Sequence, residues 1–178
     1  MEFLQKLKGS SQSPPAVGPA EILWSWIGSF IGIGAVSFAH YKMFGHNDLM
    51  MLIGSFGASA VLIYGAIRSP LAQPRNLVGG HVLSAIVGVT AYQLLGQQPW
   101  IAASVAVSTA IALMHFSKTL HPPGGATALI AVIGSDEVHN LGYLYVIVPV
   151  ALGAVIMLII ALIINNIPKN RRYPEFWL

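Results

Sequence analysis

Long hydrophobic stretches recur six times along this chain, and short polar or proline-bearing stretches separate them. They cover residues 22–43, 49–67, 77–95, 100–116, a fifth stretch that ends at residue 135, and 141–164. A helix needs about 20 predominantly apolar residues to cross a hydrocarbon core of about 30 Å. The pattern therefore predicts an all-α membrane protein with six transmembrane segments.

The composition agrees with this class. Of the 178 residues, 55% are hydrophobic and only 8% are charged, whereas a soluble domain carries about 25% charged residues. The chain has no cysteine, so neither a disulfide framework nor a thiolate metal site is available. The net charge of +3 does not predict a nucleic-acid partner, because the basic residues form no dense patch.

The basic residues predict the orientation of the segments. With six crossings and a cytoplasmic start, eight of the nine Lys and Arg residues lie on the cytoplasmic side and only Lys42 lies outside, in agreement with the positive-inside rule. Residues 1–21 then form a cytoplasmic amphipathic start and a Ser/Pro linker, residues 22–164 the transmembrane domain, and residues 165–178 a basic cytoplasmic tail. We expect a multi-pass protein of a bacterial inner membrane with both termini in the cytoplasm.

An internal repeat divides the transmembrane domain. The sequence GASAVL at residues 57–62 matches GATALI at residues 125–130, and each copy lies in the second of three consecutive hydrophobic segments. The repeats are residues 22–96 and 97–164. Because each contains an odd number of crossings, the second has the inverted orientation. Chance remains the alternative, since small residues are common in membrane helices.

The most unusual stretch is His121-Pro122-Pro123-Gly124-Gly125. The two prolines interrupt a continuing helix but can open a new one, so we expect an extended entry at His121-Pro122 and a helix that begins near Gly124 or Gly125. The twelve residues from Gly57 to Arg68 rise about 18 Å as a helix, roughly half of the hydrocarbon core. Segments two and five are therefore predicted to be discontinuous half-helices that begin near the midplane.

Two half-helix N-termini that face each other favour an anion, because free N–H groups and positive dipole ends converge there. The strongest candidate donors are the backbones of Gly57, Ala58, Gly125 and Ala126, assisted by the hydroxyls at residues 59 and 127. The full predicted binding set is Ser55, Phe56, Gly57, Ala58, Ser59, His121, Gly124, Gly125, Ala126 and Thr127. The competing interpretation is that the glycines only allow tight helix packing.

Two further residues are candidates for proton transfer or gating. His81 follows Gly79-Gly80 near the start of the third segment, where it would balance an anion or carry a coupled proton; a structural histidine bonded to the backbone is the alternative. Arg75, with Arg68, would draw anions to the inner mouth, although an orientation signal also explains both. The six carboxylates lie outside the hydrophobic stretches, so we expect no enzyme activity, and we expect no metal or cofactor.

Four blocks of sequence resemble the HPP family of integral membrane proteins, which is named for its His-Pro-Pro motif. They are GSFGASA at 54–60, SPLAQPRN at 69–76, GGH at 79–81 and TLHPPGGATA at 119–128, and the resemblance extends over residues 24–164. Family members usually carry Ala at the position of Gly124. The resemblance implies transport of a small monovalent anion, nitrite, and the choice of nitrite comes from the resemblance alone.

The sequence thus predicts a transporter or channel for a small monovalent anion, bound between the two half-helix starts. Its expected partners are that anion and the lipid bilayer, and no nucleic acid. Glycines on the first and sixth segments also make a homo-oligomer plausible: Gly28, Gly32 and Gly153. Two alternatives remain, a membrane scaffold or sensor that transports nothing, and a carrier of a small organic solute.

Overall fold

The computed structural model describes residues 2–7, 11–44 and 53–178, and every regular element in these ranges is helical. The α-helices are α1 (Glu2–Lys6), α2 (Pro19–Phe44), α3 (Gly54–Ala60), α4 (Pro74–Leu95), α5 (Pro99–Phe116), α6 (Pro122–Ile133), α7 (Asp136–Leu141) and α8 (Leu152–Ile164). A π-helical turn, Val61–Gly65, continues α3, and a kinked π-helical stretch, Val146–Ala151, leads into α8. The predicted all-α class is confirmed.

Four helical stretches are long and apolar enough to cross a membrane: Pro19–Met43, Pro74–Leu95, Pro99–Phe116 and Val146–Ile164. They correspond to the predicted segments one, three, four and six. Segments two and five correspond to two shorter apolar helices, Gly54–Gly65 and Pro122–Ile133. Residues 49–52, the predicted beginning of segment two, lie outside the described residues.

Both short helices begin earlier than predicted. The expected start of α6 at Gly124 or Gly125 is wrong, because the helix begins at Pro122; proline suits the first helical position, where its fixed φ is already helical and its missing N–H costs nothing. The extended entry is confirmed for His121, with φ −139° and ψ 103°. Helix α3 likewise begins at Gly54, three residues before Gly57, after an extended Ile53.

Helix α4 packs against both α5 and α6, and small residues bring α4 and α6 close together. A Cβ atom at Gly88 would lie 2.6 Å from the carbonyl oxygen of Ala128, and one at Gly124 would lie 2.7 Å from Ser84 Oγ. These glycines therefore act as contact points between helices, as small residues commonly do in membrane proteins.

The three glycines from which a homo-oligomer was predicted contact aromatic side chains of the same chain. Gly28 and Gly32 of α2 receive the ring of Tyr64, and Gly153 of α8 receives the ring of Phe56. Tyr64 also donates from its hydroxyl to the carbonyl of Met157 at 3.0 Å. These positions therefore support packing inside one molecule, and they carry no argument for a second copy.

The C-terminal tail, predicted from its basic residues as a cytoplasmic segment, folds back under the short helix α3 and its π-helical turn. Arg171 is buried and donates from Nη2 to the carbonyl of Tyr64 at 2.7 Å, while Asn165 donates to the carbonyl of Ile63 at 2.8 Å. Tyr173 donates from its hydroxyl to the carbonyl of Ala72 at 2.7 Å. The tail thus pairs carbonyls that the end of a helix leaves without intrahelical partners.

Burial shifts the ionisation of the tail. Desolvation lowers the pKa of the Arg171 guanidinium, and the carboxylate of Glu21, 3.5 Å away, opposes that shift. Burial also raises the pKa of the Tyr173 phenol well above its usual value. Because a shielded guanidinium that lost its partners would be costly, we expect these contacts to hold the tail firmly.

Replacing Gly88 with alanine tests the close packing of α4 on α6. We expect Gly88→Ala to lower the free energy of unfolding by about 1–3 kcal/mol, because the helices must move to admit the methyl group. Titration of the purified protein with SDS in mixed micelles measures this. Gly34→Ala is the matched control, since a Cβ there meets no atom within 4 Å. Equal stability of the two variants would contradict the packing.

Arg171→Ala tests the attachment of the tail. The variant leaves the Tyr64 carbonyl without its charged donor, and we expect a loss of about 1.5–3 kcal/mol in the free energy of unfolding. Arg172→Ala makes the same change of charge at an exposed neighbour and should stay within about 0.5 kcal/mol of the wild type. Similar losses in both variants would show that net charge, and not the buried contact, matters here.

Candidate functional site

Five polar side chains meet in the interior, and each is 0% exposed: Ser55, Ser59, His81, His121 and Thr127. We call them the polar cluster. Two come from α3, one from α4, one from the extended residue before α6 and one from α6 itself. All five were among the candidates named from the sequence.

The polar cluster is one continuous chain of hydrogen bonds. Ser59 Oγ lies 2.7 Å from His81 Nε2 and 2.8 Å from His121 Nε2. His81 Nδ1 lies 2.7 Å from Thr127 Oγ1, and the Thr127 hydroxyl donates to Ser55 Oγ at 2.9 Å. At the other end, His121 Nδ1 lies 2.8 Å from the carbonyl oxygen of Leu71. The cluster thus links both short helices to α4 and to the loop before it.

Local sequence explains how the side chains reach one another. Ser55 and Ser59 are four residues apart on α3 and therefore lie on one helix face. The extended segment that carries His121 passes close to α4, because a Cβ at Gly80 would lie only 2.6 Å from His121 Cβ. Asn76 fixes this segment by donating from Nδ2 to the carbonyl of Leu120 at 2.9 Å.

Aromatic rings lie close to the polar cluster. The ring of Phe56, a predicted site residue, meets His81 edge-on with 5.3 Å between ring centroids. The rings of His81 and His121 are 5.0 Å apart, also edge-on. Tyr145, which sequence reasoning missed, donates from its hydroxyl to the carbonyl of Thr127 at 3.2 Å. The sequence signal that could have indicated Tyr145 is its place near the edge of an apolar stretch, where a buried phenol needs a hydrogen-bond partner.

The backbone donors predicted from the sequence lie elsewhere. Gly57 and Ala58 are exposed, while Gly125 and Ala126 are half-buried and line an apolar groove of about 510 Å³ between α5 and α6. At the start of α6, two residues are prolines without an N–H, and the N–H of Gly124 donates to the carbonyl of His121 at 2.8 Å. Side chains converge at the polar cluster, and an anion site at these four N–H groups stays a prediction.

The candidates for proton transfer or gating separate in space. His81 is part of the polar cluster, and its ring nitrogens face two hydroxyls. Neither nitrogen bonds to the backbone in the described part of the chain, unlike the structural histidine considered from the sequence. Arg75 is half-buried at the start of α4, with its guanidinium carbon 5.8 Å from the ring centroid of Phe176. Arg68 is exposed beside a second cavity of about 430 Å³ that also borders Glu21 and Arg171.

Together, the four membrane-spanning helices, the two short apolar helices and the polar cluster define an all-helical integral membrane protein with a polar centre. The family model described as "HPP, transmembrane region" matches residues 14–174, and the chain belongs to the HPP transmembrane family. The resemblance seen in the sequence is thereby confirmed.

Two curated relatives are transmembrane proteins of Dictyostelium discoideum. One is 48% identical over 99% of this chain and 58% of its own length, and the other is 45% identical over 95% of this chain and 60% of its own length. The chain therefore spans about 60% of the length of these curated relatives. No solved structure matches the chain.

Thr127→Val tests the integrity of the polar cluster. The substitution keeps the shape of the side chain but leaves His81 Nδ1 and Ser55 without their shared partner. We expect the free energy of unfolding to fall by about 1–3 kcal/mol, the cost of unpaired buried polar groups. SDS titration measures it, and Thr127→Ser, which keeps the hydroxyl, should lose less. A Val variant as stable as the Ser variant would mean that the hydroxyl contributes nothing.

Proposed function

We propose that this protein carries a small monovalent anion across the membrane through the polar cluster, and that the anion is nitrite. The observation that carries the proposal is the complete burial of two imidazoles and three hydroxyls at the meeting point of two short helices. Ionisable groups inside a membrane domain are costly, and they commonly mark the path of a solute.

The chemistry of the polar cluster favours an anion over a cation. Its side chains offer O–H and N–H donors, and within the described residues its hydrogen bonds involve no carboxylate. The same bonds involve no Lys or Arg, whose fixed charge would hold a monovalent ion too tightly for release. The family resemblance supports nitrite, a small anion whose oxygens accept such hydrogen bonds.

We also propose that the domain is a six-segment inverted repeat. Each half contains a long helix, a short helix and a second long helix, in the order α2, α3 with its π-helical turn, α4, and then α5, α6, α8. Ser59 and Thr127 are each the sixth residue of their short helix. Both face the imidazole of His81, one at each ring nitrogen. Equivalent residues of the two halves therefore meet at one point, as inverted-repeat carriers arrange their binding sites.

A carrier suits this geometry better than an open channel. The polar side chains bond to one another, so an entering anion must replace a bond that the two halves make across the centre, notably that of Thr127 with Ser55. Rocking of one half against the other would expose the polar cluster to each side in turn. In this arrangement both ends of the described chain lie in the cytoplasm, which the distribution of basic residues supports.

Uptake of nitrite into liposomes that contain the purified protein tests the proposal. We expect saturable uptake above that of protein-free liposomes, and a reduction of about 10- to 100-fold in His81→Gln, since hydrogen bonds to charged groups contribute about 1.5–3 kcal/mol each. Gly125→Leu is the matched control. Its Cβ would meet only Val107, at 3.8 Å, beside the apolar groove, so uptake should continue.

Two outcomes would contradict the proposal in different ways. Loss of uptake in Gly125→Leu, with His81→Gln active, would place the anion at the helix start and not in the polar cluster. Absence of uptake by a folded wild-type protein would favour the scaffold or sensor, for which the closed cluster would serve as an internal support. Uptake of a small organic solute instead would favour the remaining alternative.

A further inference from the structure

We propose that His81, Ser59 and His121 form a binding site for a single shared proton, and that this proton crosses the membrane together with the anion. We call these three residues the relay. The existence of the shared proton rests on hydrogen-bond geometry alone, whereas its movement with the anion rests on the proposed function. The two parts can be tested separately.

The Nδ1 atoms of both rings act as hydrogen-bond donors. His121 Nδ1 faces the carbonyl oxygen of Leu71 at 2.8 Å, and a carbonyl can only accept. The single hydroxyl hydrogen of Thr127 is directed to Ser55 Oγ at 2.9 Å, with the carbonyl of Pro123 further away at 3.4 Å. Thr127 Oγ1 therefore accepts from His81 Nδ1 at 2.7 Å. Both Nδ1 atoms carry hydrogen.

The Nε2 atoms of both rings then face a single hydrogen, that of the Ser59 hydroxyl. A neutral imidazole has one N–H and one acceptor nitrogen, so with both rings neutral both Nε2 atoms are acceptors. Both face the same Ser59 hydroxyl, at 2.7 Å and 2.8 Å, and serine supplies a single hydrogen. The Nε2 atom that does not receive this hydrogen faces the Ser59 oxygen at short distance, and both atoms are acceptors. One added proton completes the relay, because one Nε2 donates to Ser59 Oγ while the Ser59 hydroxyl donates to the other.

The same geometry permits the proton to move. His81 Nε2 gives its proton to Ser59 Oγ while Ser59 gives its own hydroxyl proton to His121 Nε2. One N–H and one O–H bond break, one O–H and one N–H bond form, and serine returns to its neutral state. The positive charge thereby passes between two rings whose centroids are 5.0 Å apart. No oxidant, reductant or further reactant takes part.

The surroundings of the relay determine when it is charged. In the described part of the chain, the polar groups that face the two rings are each other, Ser59, Thr127 and the Leu71 carbonyl, with the phenol of Tyr145 one bond further away on the Thr127 carbonyl. No carboxylate is among them. An isolated imidazolium in such a buried region is unfavourable. The natural counter-ion is the transported anion, so proton and anion bind together as a neutral pair.

The relay also spans the two proposed halves. His81 and Ser59 belong to the first repeat, and His121 belongs to the second. When the halves separate, the contact between Ser59 and His121 must open, and the proton remains on one side. Proton transfer along the relay is therefore possible only while the polar cluster is closed, which links occupancy of the relay to the transport cycle.

Liposomes with independently set pH gradient and membrane voltage test the coupling. If one proton moves with each nitrite, protein-dependent uptake follows the pH gradient, ignores the voltage, and changes the internal pH by about one proton per anion. Ser59→Ala keeps both imidazoles but removes the bridge, and we expect at least a tenfold loss of protein-dependent proton movement. Ser84→Ala is the matched control, because Ser84 is a buried serine outside the polar cluster whose hydroxyl donates to Met114 Sδ at 3.6 Å.

Nitrogen-15 NMR of labelled histidines tests the shared proton without transport. Signals are assigned by their loss in His81→Gln and His121→Gln. We expect the two Nε2 signals to move together with a total uptake of one proton as the pH falls, in wild type and in Ser84→Ala. In folded Ser59→Ala we expect this joint movement to disappear.

The outcomes separate the two proposals. Uptake that follows voltage and not pH would overturn proton coupling while leaving anion transport intact. Joint histidine signals without any anion uptake would support the proton site and overturn the transport function. Two rings that titrate independently in the wild type, or identical spectra of Ser59→Ala and wild type, would overturn the shared proton.

Discussion

The structure depends on one constraint: a polar group buried in a membrane domain must find its partner inside the protein, because no water is present to replace it. The imidazoles and hydroxyls of the polar cluster supply partners to one another, and each member depends on at least one other. The positions of both short helices and of the extended segment before α6 are consequently linked. A shift of any one of them would leave several groups unpaired at once.

Close backbone approach makes this pairing possible. Helix α4 and the His121 segment nearly touch, because Gly80 lacks the Cβ that would keep them apart. At other helix contacts, large rings fill the spaces that glycines leave, with Phe56 against Gly153 and Tyr64 against Gly28. Small residues thus have two roles here, which a count of glycines does not distinguish. Some allow two backbone segments to approach closely, and others leave space for an aromatic ring.

This distinction explains how far the sequence could be interpreted. Length and hydrophobicity sufficed for the helical class and for the four long spans, and the shared motif GA-S/T-A contains Ser59 and Thr127, whose hydroxyls lie in the polar cluster. Helix starts were misplaced because Pro122 was assigned to the extended entry, although proline also fits a first helical turn. The buried role of Arg171 was missed because basic residues in a tail normally signal orientation. Long-range partners such as the Leu71 carbonyl leave no local pattern in the sequence.

The proposed mechanism depends on the closed state of the polar cluster. The members of the polar cluster bond to one another except for the one Nε2 that lacks a hydrogen, and the cluster opens only when a ligand supplies equivalent bonds. An anion alone accepts from hydroxyls but brings an unbalanced charge into an apolar region, and a proton alone does the same with opposite sign. Together they are neutral, and they satisfy both the donors and the acceptor that remains between His81 and His121. In the proposed mechanism, the lack of one hydrogen in the relay makes the polar cluster selective for the pair, and release of either ion favours release of the other.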